Sequence, residues 1–427
     1  MEYLSANKIT IVDLGTSKTV QKELDEDLVK ENIGGAGITA TLYEEYQDED
    51  PIILGTGLLT GTLAPASALG LITAKNPLTG KVCHAPFTLY GGVELKYSGF
   101  DYVVIKGKSQ KPVYLWIHDG VADVHDAKDV WGKDVWSSTE TIRELMGDQL
   151  IQVLAIGKAG ESESDFAHVC INYWASGDRW GFGQLFGQKK LKLVALRGMS
   201  LLEIADAEGF VRECKELLST IKKGPFAGKK GIGELTAAIG EDIGKWLEPI
   251  IHRHLSCFNT PVPTNTFVFL DEDPKLLKES EKKEPGFLLS DIYGLLGFKK
   301  LGLSAADACA LLKECAKYGI DAVAVSELSQ KAGKKKPDEI KKFFSGLKGA
   351  LESLGKGKFS PWCPKFGLPA NEWDRRQAVA YIFGIHPIFA LMSPELSEEK
   401  LIELANLGTG LGFTSEILDK VIADISK

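Results

Sequence analysis

At 427 residues the chain is long enough for two or three domains around a large core. Its 44% hydrophobic and 25% charged residues are the balance of a water-soluble globular protein, and a net charge of −8 argues against broad nucleic-acid contact. No apolar run reaches membrane-spanning length, the N-terminus lacks the basic and apolar regions of a signal peptide, and seven scattered cysteines suit reduced thiols, so a cytoplasmic protein is expected, with no nucleic acid and no membrane among its partners.

The first two hundred residues read as strands punctuated by glycine. Alternation predicts a strand at 8–13, and a helix is expected within 25–46, around the turn Gly34-Gly35-Ala36-Gly37. Short strands follow at 52–56 and 69–74. Residues 102–107 and 112–118 are expected to pair antiparallel across their connecting turn, with a helix at 137–146 and a strand at 152–156 after them.

The stretch Arg179-Trp-Gly-Phe-Gly-Gln-Leu-Phe-Gly187 then leads into an alternating tail around Leu191, Leu193 and Ala195. An arginine at the mouth of a glycine-rich turn suits a phosphate or pterin, because bare backbone N–H groups can point at an anion. A tight strand-to-helix connection explains the same residues. Gly181-x-Gly183 lacks the third glycine of a dinucleotide fingerprint, and Glu203 does not restore it.

Near residue 207 the pattern turns mostly helical, with helices expected at 208–222, 232–254, 305–318 and 337–354. The helix at 305–318 carries the clearest signals. Ser304 is a candidate N-cap with Asp307 three residues on, Ala308, Leu311, Leu312 and Cys315 share one face, and Gly319 ends it. The lysines between 331 and 336 read as a solvated connector. Two short helices close the chain, capped by Ser397 and Thr414. The expected division is 1–207, 208–335 and 336–427.

The N-terminal half resembles the tungsten-containing aldehyde ferredoxin oxidoreductase family, as a shortened and divergent member. The resemblance rests on ordered segments: Ile33-Gly34-Gly35-Ala-Gly37, residues 56–62 (Thr-Gly-Leu-Leu-Thr-Gly-Thr), Lys75-Asn-Pro-Leu-Thr-Gly80, Gly92-Val-Glu-Leu-Lys-Tyr-Ser-Gly99-Phe-Asp101, Trp131-Gly-Lys-Asp134, Ile156-Gly-Lys-Ala-Gly-Glu161 and the Arg179 turn. It implies an α+β fold: a two-sheet N-terminal domain forming the base for a bis-pterin tungsten centre, helical domains covering it, and a [4Fe–4S] cluster nearby. The implied reaction is oxidation of aldehydes to carboxylic acids, with electrons leaving through the cluster to ferredoxin.

Taken residue by residue, most of the family's ligands are replaced. Where the family has Cys-x-x-Cys-Pro-x-x-Cys, this chain reads Cys257-Phe-Asn-Thr260-Pro-Val-Pro-Thr264, and His386 stands at the distant cysteine. A [4Fe–4S] cluster takes four thiolates, so no such cluster is expected. A zinc site from Cys257 with His252, His254 and His386 is conceivable but not favoured. Leu69 stands in place of a pterin-facing arginine, a loss of roughly 1.5–3 kcal/mol in a charge-assisted bond. Pro86-Phe-Thr88 replaces an asparagine-glycine loop, Ala316 and Tyr381 replace aspartates, and Trp180 replaces a small residue. The family's catalytic glutamate segment maps near Pro285-Gly-Phe-Leu-Leu, which has no glutamate following Pro285. Arg179, Gly181, Gly183 and Asp321 remain as cofactor-binding candidates if a pterin is retained; no catalytic residue and no metal ligand is assigned.

The residues therefore favour a non-catalytic relative without cofactor, a structural or regulatory partner of an active oxidoreductase. The alternative is an active tungsten or molybdenum bis-pterin subunit without its own cluster, passing electrons to an iron–sulfur partner. A protein partner or a homodimer is expected in the first reading. Binding of a different small anion at Arg179 is a third. Trp180, with Phe87 or Leu69, is expected to fill the space of the pterins, turning Arg179 toward a nearby carboxylate or carbonyl.

Overall fold

The computed structural model describes residues 2–237, 241, 243–270, 286–347, 357–360 and 369–427, with Met392 described by its backbone alone. Two six-stranded mixed sheets make up the N-terminal part. The first runs β2-β1-β6-β3-β4-β5, from strands β1 (Lys8–Asp13), β2 (Lys18–Glu23), β3 (Ile52–Thr56), β4 (Gly70–Lys75), β5 (Val82–Phe87) and β6 (Tyr102–Lys106). The second runs β11-β10-β9-β12-β7-β8, from β7 (Val113–His118), β8 (Val121–Asp126), β9 (Gln152–Ala155), β10 (Cys170–Ile171), β11 (Trp174–Ala175) and β12 (Leu191–Arg197). The pairs β1–β6 and β7–β12 are parallel; the other pairs within these two sheets are antiparallel.

The layering follows from strand alternation, which sends neighbouring side chains to opposite faces. In the first sheet Ile9, Ile11, Ile53, Leu71 and Val104 join a core shared with the helices. Their neighbours Val12, Ile52, Leu54, Ile72, Val103 and Ile105 face the second sheet, where Leu115, Ile117, Leu154, Val194 and Leu196 meet them. The outer face of the second sheet, with Val153, Ala155, Leu193 and Ala195, is covered by helix Val135–Met146 through Val135 and Ile142. The central strands of both sheets are thus buried on two faces, which is why β3 and β9 are buried at every position. The outermost strand of the first sheet, β2, is exposed throughout and carries Lys18 and Lys22, charges that discourage edge-to-edge association.

After residue 206 the chain is mostly helical. Helix Ala305–Tyr318 forms as read, with the Ser304 hydroxyl accepting the Asp307 N–H at 3.1 Å and Gly319 left-handed at φ 72°. Ala308, Leu311, Leu312 and Cys315 are all buried. The last two helices, Glu398–Thr409 and Ser415–Ser426, are capped by Ser397 and Thr414. The α+β class with two N-terminal sheets and a largely helical remainder is therefore present.

Three expectations are corrected. Residues 102–107 and 112–118 do not pair: β6 lies inside the first sheet between β1 and β3, while β7 lies in the second between β12 and β8. The turn between them is a crossover from one layer to the other, which alternation alone cannot distinguish from a hairpin. The helix expected at 232–254 is two short helices, Gly231–Ala237 and Gly244–Leu247, followed by strand β13 (Ile251–Leu255). Pro249 falls just before β13, where proline withholds a helical N–H. β13 joins β14 (Asn265–Phe269) and β15 (Gly286–Leu289) in a small antiparallel sheet. Finally, helix Pro337–Phe343 is shorter than expected; residues 348–354 of that expectation, like Pro285, lie outside the described residues.

Candidate functional site at the junction of sheets and helices

The site is built around Arg179, whose side chain is 1% exposed. Its guanidinium donates to two buried carboxylates, Nη2 to Asp291 and Nη1 to Asp321. Each carboxylate is also a helix N-cap. Asp291 Oδ1 accepts the Gly294 N–H at 2.8 Å at the start of helix Ile292–Lys300, and Asp321 Oδ1 accepts the Val323 N–H at 3.1 Å at the start of helix Ala322–Lys331. One arginine from the N-terminal domain thus fastens the heads of two helices. Burial works against the Arg179 charge, but Asp291 and Asp321 hold its pKa above the ordinary value. For Asp321, burial raises the pKa against the pull of Arg179. The two directions agree on geometry: one cation is divided between two acids, so neither carboxylate is fully compensated. Among the described residues, Asp291 Oδ2, Asp321 Oδ2, Arg179 Nε and His168 Nδ1 have no protein hydrogen-bond partner.

The glycine-rich turn is occupied from within. Asp178 Oδ1 accepts the Trp180 N–H at 2.9 Å and Oδ2 accepts the Val169 N–H at 3.1 Å. Burial pushes the Asp178 carboxyl up to about 6 despite these bonds. The chain's own aspartate therefore sits where the N–H groups of such a turn could meet a foreign anion. Gly181, at φ 74°, is the N-cap of helix Phe182–Gln188. A Cβ there would lie 2.5 Å from the Asp165 carbonyl oxygen, and one on Gly183 would lie 2.7 Å from the Ala167 carbonyl carbon. The Gly183 N–H is spent on the Ala167 carbonyl at 3.1 Å. Both glycines permit close packing of the turn on residues 165–168.

Side chains fill the space around this turn. Trp180 is buried, with its Nε1–H donating to the His84 carbonyl at 3.0 Å, and it shares a core with Phe87. Leu69 is equally buried but belongs to the helix-facing core, and its N–H meets the Gly384 carbonyl at 3.0 Å. Pro86 abuts Gly177, and Thr88 is buried. Residues 358–360 run alongside β5: the His84 N–H donates to the Lys358 carbonyl at 2.7 Å and the Ser360 N–H to the His84 carbonyl at 2.8 Å. Phe359 stacks on the His84 ring at 5.4 Å and meets Tyr381 edge-on at 5.3 Å. The Tyr381 hydroxyl donates to the Ser360 carbonyl at 3.2 Å. Burial drops His84 to about 3, so it is neutral.

A second cluster surrounds Cys257. Its sulfur receives the Thr264 hydroxyl at 3.5 Å and the Asn265 amide at 3.4 Å, and it hydrogen-bonds His386. His386 Nδ1 accepts the Ile388 N–H at 3.3 Å, which leaves Nε2 to carry the proton. Burial opposes ionisation, but His386 and the two polar donors outweigh it and bring the thiol down to about 6. Thr260 bonds the Cys257 carbonyl at 3.1 Å. His252 and His254 turn elsewhere, His252 onto the Phe269 ring at 4.1 Å and His254 onto the Thr266 hydroxyl at 3.1 Å. No group of three or more His, Cys, Asp or Glu among the described residues is placed to hold a metal. One thiolate with threonine, asparagine and histidine is not the donor set of a four-thiolate cluster.

Of the candidates read from sequence, the structure brings Arg179 and Asp321 together as an ion pair and sets Gly181 and Gly183 beside them. Asp178 and Asp291 were missed. Asp291 carried a readable signal, an aspartate directly before an apolar helical stretch.

Two sheets forming a base under a helical cover, joined at a buried arginine turn, define the class. Residues 9–198 match the family described as aldehyde ferredoxin oxidoreductase, N-terminal domain. That match takes in the two-sheet N-terminal part of the chain, just under half of its length. It is similar to the tungsten-containing aldehyde ferredoxin oxidoreductase of Pyrococcus abyssi, 36% identical over 246 residues, covering 55% of this chain and 40% of the relative. It is also similar to the WOR-like subunit of an aliphatic sulfonate oxidoreductase of Pyrococcus furiosus, 30% identical over 277 residues, covering 58% of this chain and 44% of the relative. The matched stretch thus spans less than half the length of these relatives. Among solved structures, the active site complex BamBC of benzoyl coenzyme A reductase, bound to 1,5-dienoyl-CoA, shares the fold over 100% of this chain and 88% of the neighbour, with a TM-score of 0.78 and 18% identity.

Proposed function

We propose that this member of the oxidoreductase family is a structural or regulatory subunit that performs no redox chemistry of its own. The observation that carries the reading is the Arg179 cluster. The side chain best placed to grip a pterin is committed to Asp291 and Asp321, and Trp180, Phe87, Phe359 and Tyr381 pack the surrounding space. The Cys257 donor set supports the same reading for the iron–sulfur cluster. A partner is supported by an apolar face formed mainly by the N-terminal domain. A cleft of about 580 Å³ there is lined by Leu63, Tyr97, Met199, Leu201 and Phe258, and Leu201 is 91% exposed. Clustered exposed apolar groups of this kind mark interaction surfaces. The division into 1–207, 208–335 and 336–427 is part of the proposal, with the cytoplasm as its compartment.

The relatives' names favour a second reading, an active tungsten or molybdenum bis-pterin subunit that oxidises aldehydes and passes electrons to an iron–sulfur partner. In that case Arg179, Gly181, Gly183 and Asp321 hold the pterin after the ion pairs open. The BamBC neighbour is itself a complex of subunits. Elemental analysis of natively purified protein separates the two. The first reading expects tungsten, molybdenum and iron at background; stoichiometric tungsten or molybdenum overturns it in favour of the second.

A further inference from the structure

A cleft of about 440 Å³ lies on the seam between the N-terminal domain and the helices, away from the buried Arg179 cluster. Four lysines line it: Lys158 from helix Lys158–Glu161, Lys317 from helix Ala305–Tyr318, and Lys341 and Lys342 from helix Pro337–Phe343. Asp134 and Glu314 are the acids in its wall, and the Asp134 side chain is already engaged by the Ser137 N–H at 2.7 Å. Lys158, Lys341 and Lys342 are exposed and have no carboxylate partner among the described residues, and Lys317 rests over the Trp136 ring at 5.1 Å. Cations therefore outnumber anions here, on a chain whose net charge is −8. The remaining wall is aromatic, with Tyr318 and Phe344 at 5.6 Å between ring centres. The seam is also held rigidly. The His168 N–H donates to the Gly319 carbonyl at 2.8 Å, the Asp321 N–H to the Phe166 carbonyl at 3.0 Å, and Gly157 lies against the Tyr318 carbonyl.

Four lysines from three elements against two acids, beside an aromatic wall in an inter-domain cleft, are what an anionic ligand with a planar group requires. We propose that this cleft binds a small ring-bearing molecule with a terminal phosphate or diphosphate, of which a nucleoside diphosphate is the simplest example. The lysines take the phosphate oxygens and the ring lies against Tyr318 and Phe344. The inference is independent of whether a pterin is bound at Arg179.

Isothermal titration of the full chain with ADP and with adenosine, in magnesium-free buffer, tests it. Saturable ADP binding that weakens as salt rises is expected, with adenosine binding far more weakly. The double variant Lys341→Ala/Lys342→Ala, which alters exposed side chains and is checked for folding by circular dichroism, should weaken ADP binding by about tenfold or more, since each charge-assisted bond is worth about that factor. No saturable ADP binding up to millimolar concentration, adenosine binding as tightly as ADP, or an unchanged affinity in the folded double variant would each overturn the proposal.

Discussion

Arg179 and Cys257 show how much a single residue's surroundings decide. Arg179→Met would leave the Asp291 and Asp321 carboxylates buried without their cation. Breaking a buried pair in this way costs about 3–5 kcal/mol. Chemical denaturation should show that loss, and adding Asp291→Asn and Asp321→Asn to the variant should return part of it. An unchanged midpoint in the single variant would mean that the cluster opens to solvent. Cys257 makes a pH-dependent case. Its folded pKa is lowered from the ordinary 9.0 to about 6. The stability it contributes is complete above pH 9, shrinks as pH falls through the window from 9 to 6, and is gone below it. Thiolate absorbance at 240 nm should therefore titrate near pH 6 in the folded protein and at a clearly higher pH in the His386→Gln variant. Cys257 and His386 are 129 positions apart; the family resemblance set both at ligand positions of one cluster, but nothing local in either segment announces that imidazole would meet thiol directly and lower its pKa.

Among the elements, the legible ones are those whose signals are local. Helix Ala305–Tyr318 carries its own cap, face and glycine stop, so it was readable end to end. The final two helices were readable for the same reason. Strand partners were not, because alternation fixes which side chains share a face but not which strand lies alongside. The small sheet of β13–β15 hid behind residues with mixed periodicity: β13 contains His252, Arg253 and His254 and is only partly buried. The helix Phe182–Gln188 shows a packing constraint behind one of its glycines. Gly187 meets the helix Lys158–Glu161 so closely that a Cβ would lie 1.8 Å from the Gly160 carbonyl oxygen. Backbone on both sides leaves no side chain to move aside. Gly187→Ala should destabilise the protein by about 1–3 kcal/mol or more, read as a lower thermal midpoint. A neutral effect would show that the two helices can separate.

At the level of the whole molecule, the fold was the most legible feature, because its ordered glycine motifs fall at helix starts, close backbone contacts and the turns that join the strands. Function was less so, since the residues that differ from the family's ligands could be read as replacements but not as new contacts. The apolar face is where that question becomes experimental. Leu201 and Leu63 are exposed on the N-terminal domain at 91% and 55%, so Leu201→Glu with Leu63→Glu should leave the fold intact. If this face holds a partner or a second copy, the double variant should shift native gel filtration to a smaller species. An elution volume identical to that of the unmodified protein would place the association elsewhere.

The junction at Arg179 also bears on how the protein comes into being. Its cation is made before its acids: Arg179 leaves the ribosome more than a hundred residues ahead of Asp291 and Asp321. Until both helix heads arrive, the N-terminal sheets carry a guanidinium without its final counter-charges at what becomes the buried seam. The nascent base has its own two-sheet core but an open top, so its last tertiary contacts must wait for the later half of the chain. The seam at Arg179 therefore has a built-in point of closure, reached once Asp321 and its helix are extruded and a single arginine draws two helices down onto the sheets, while contacts such as Leu69 N–H to the Gly384 carbonyl form later still.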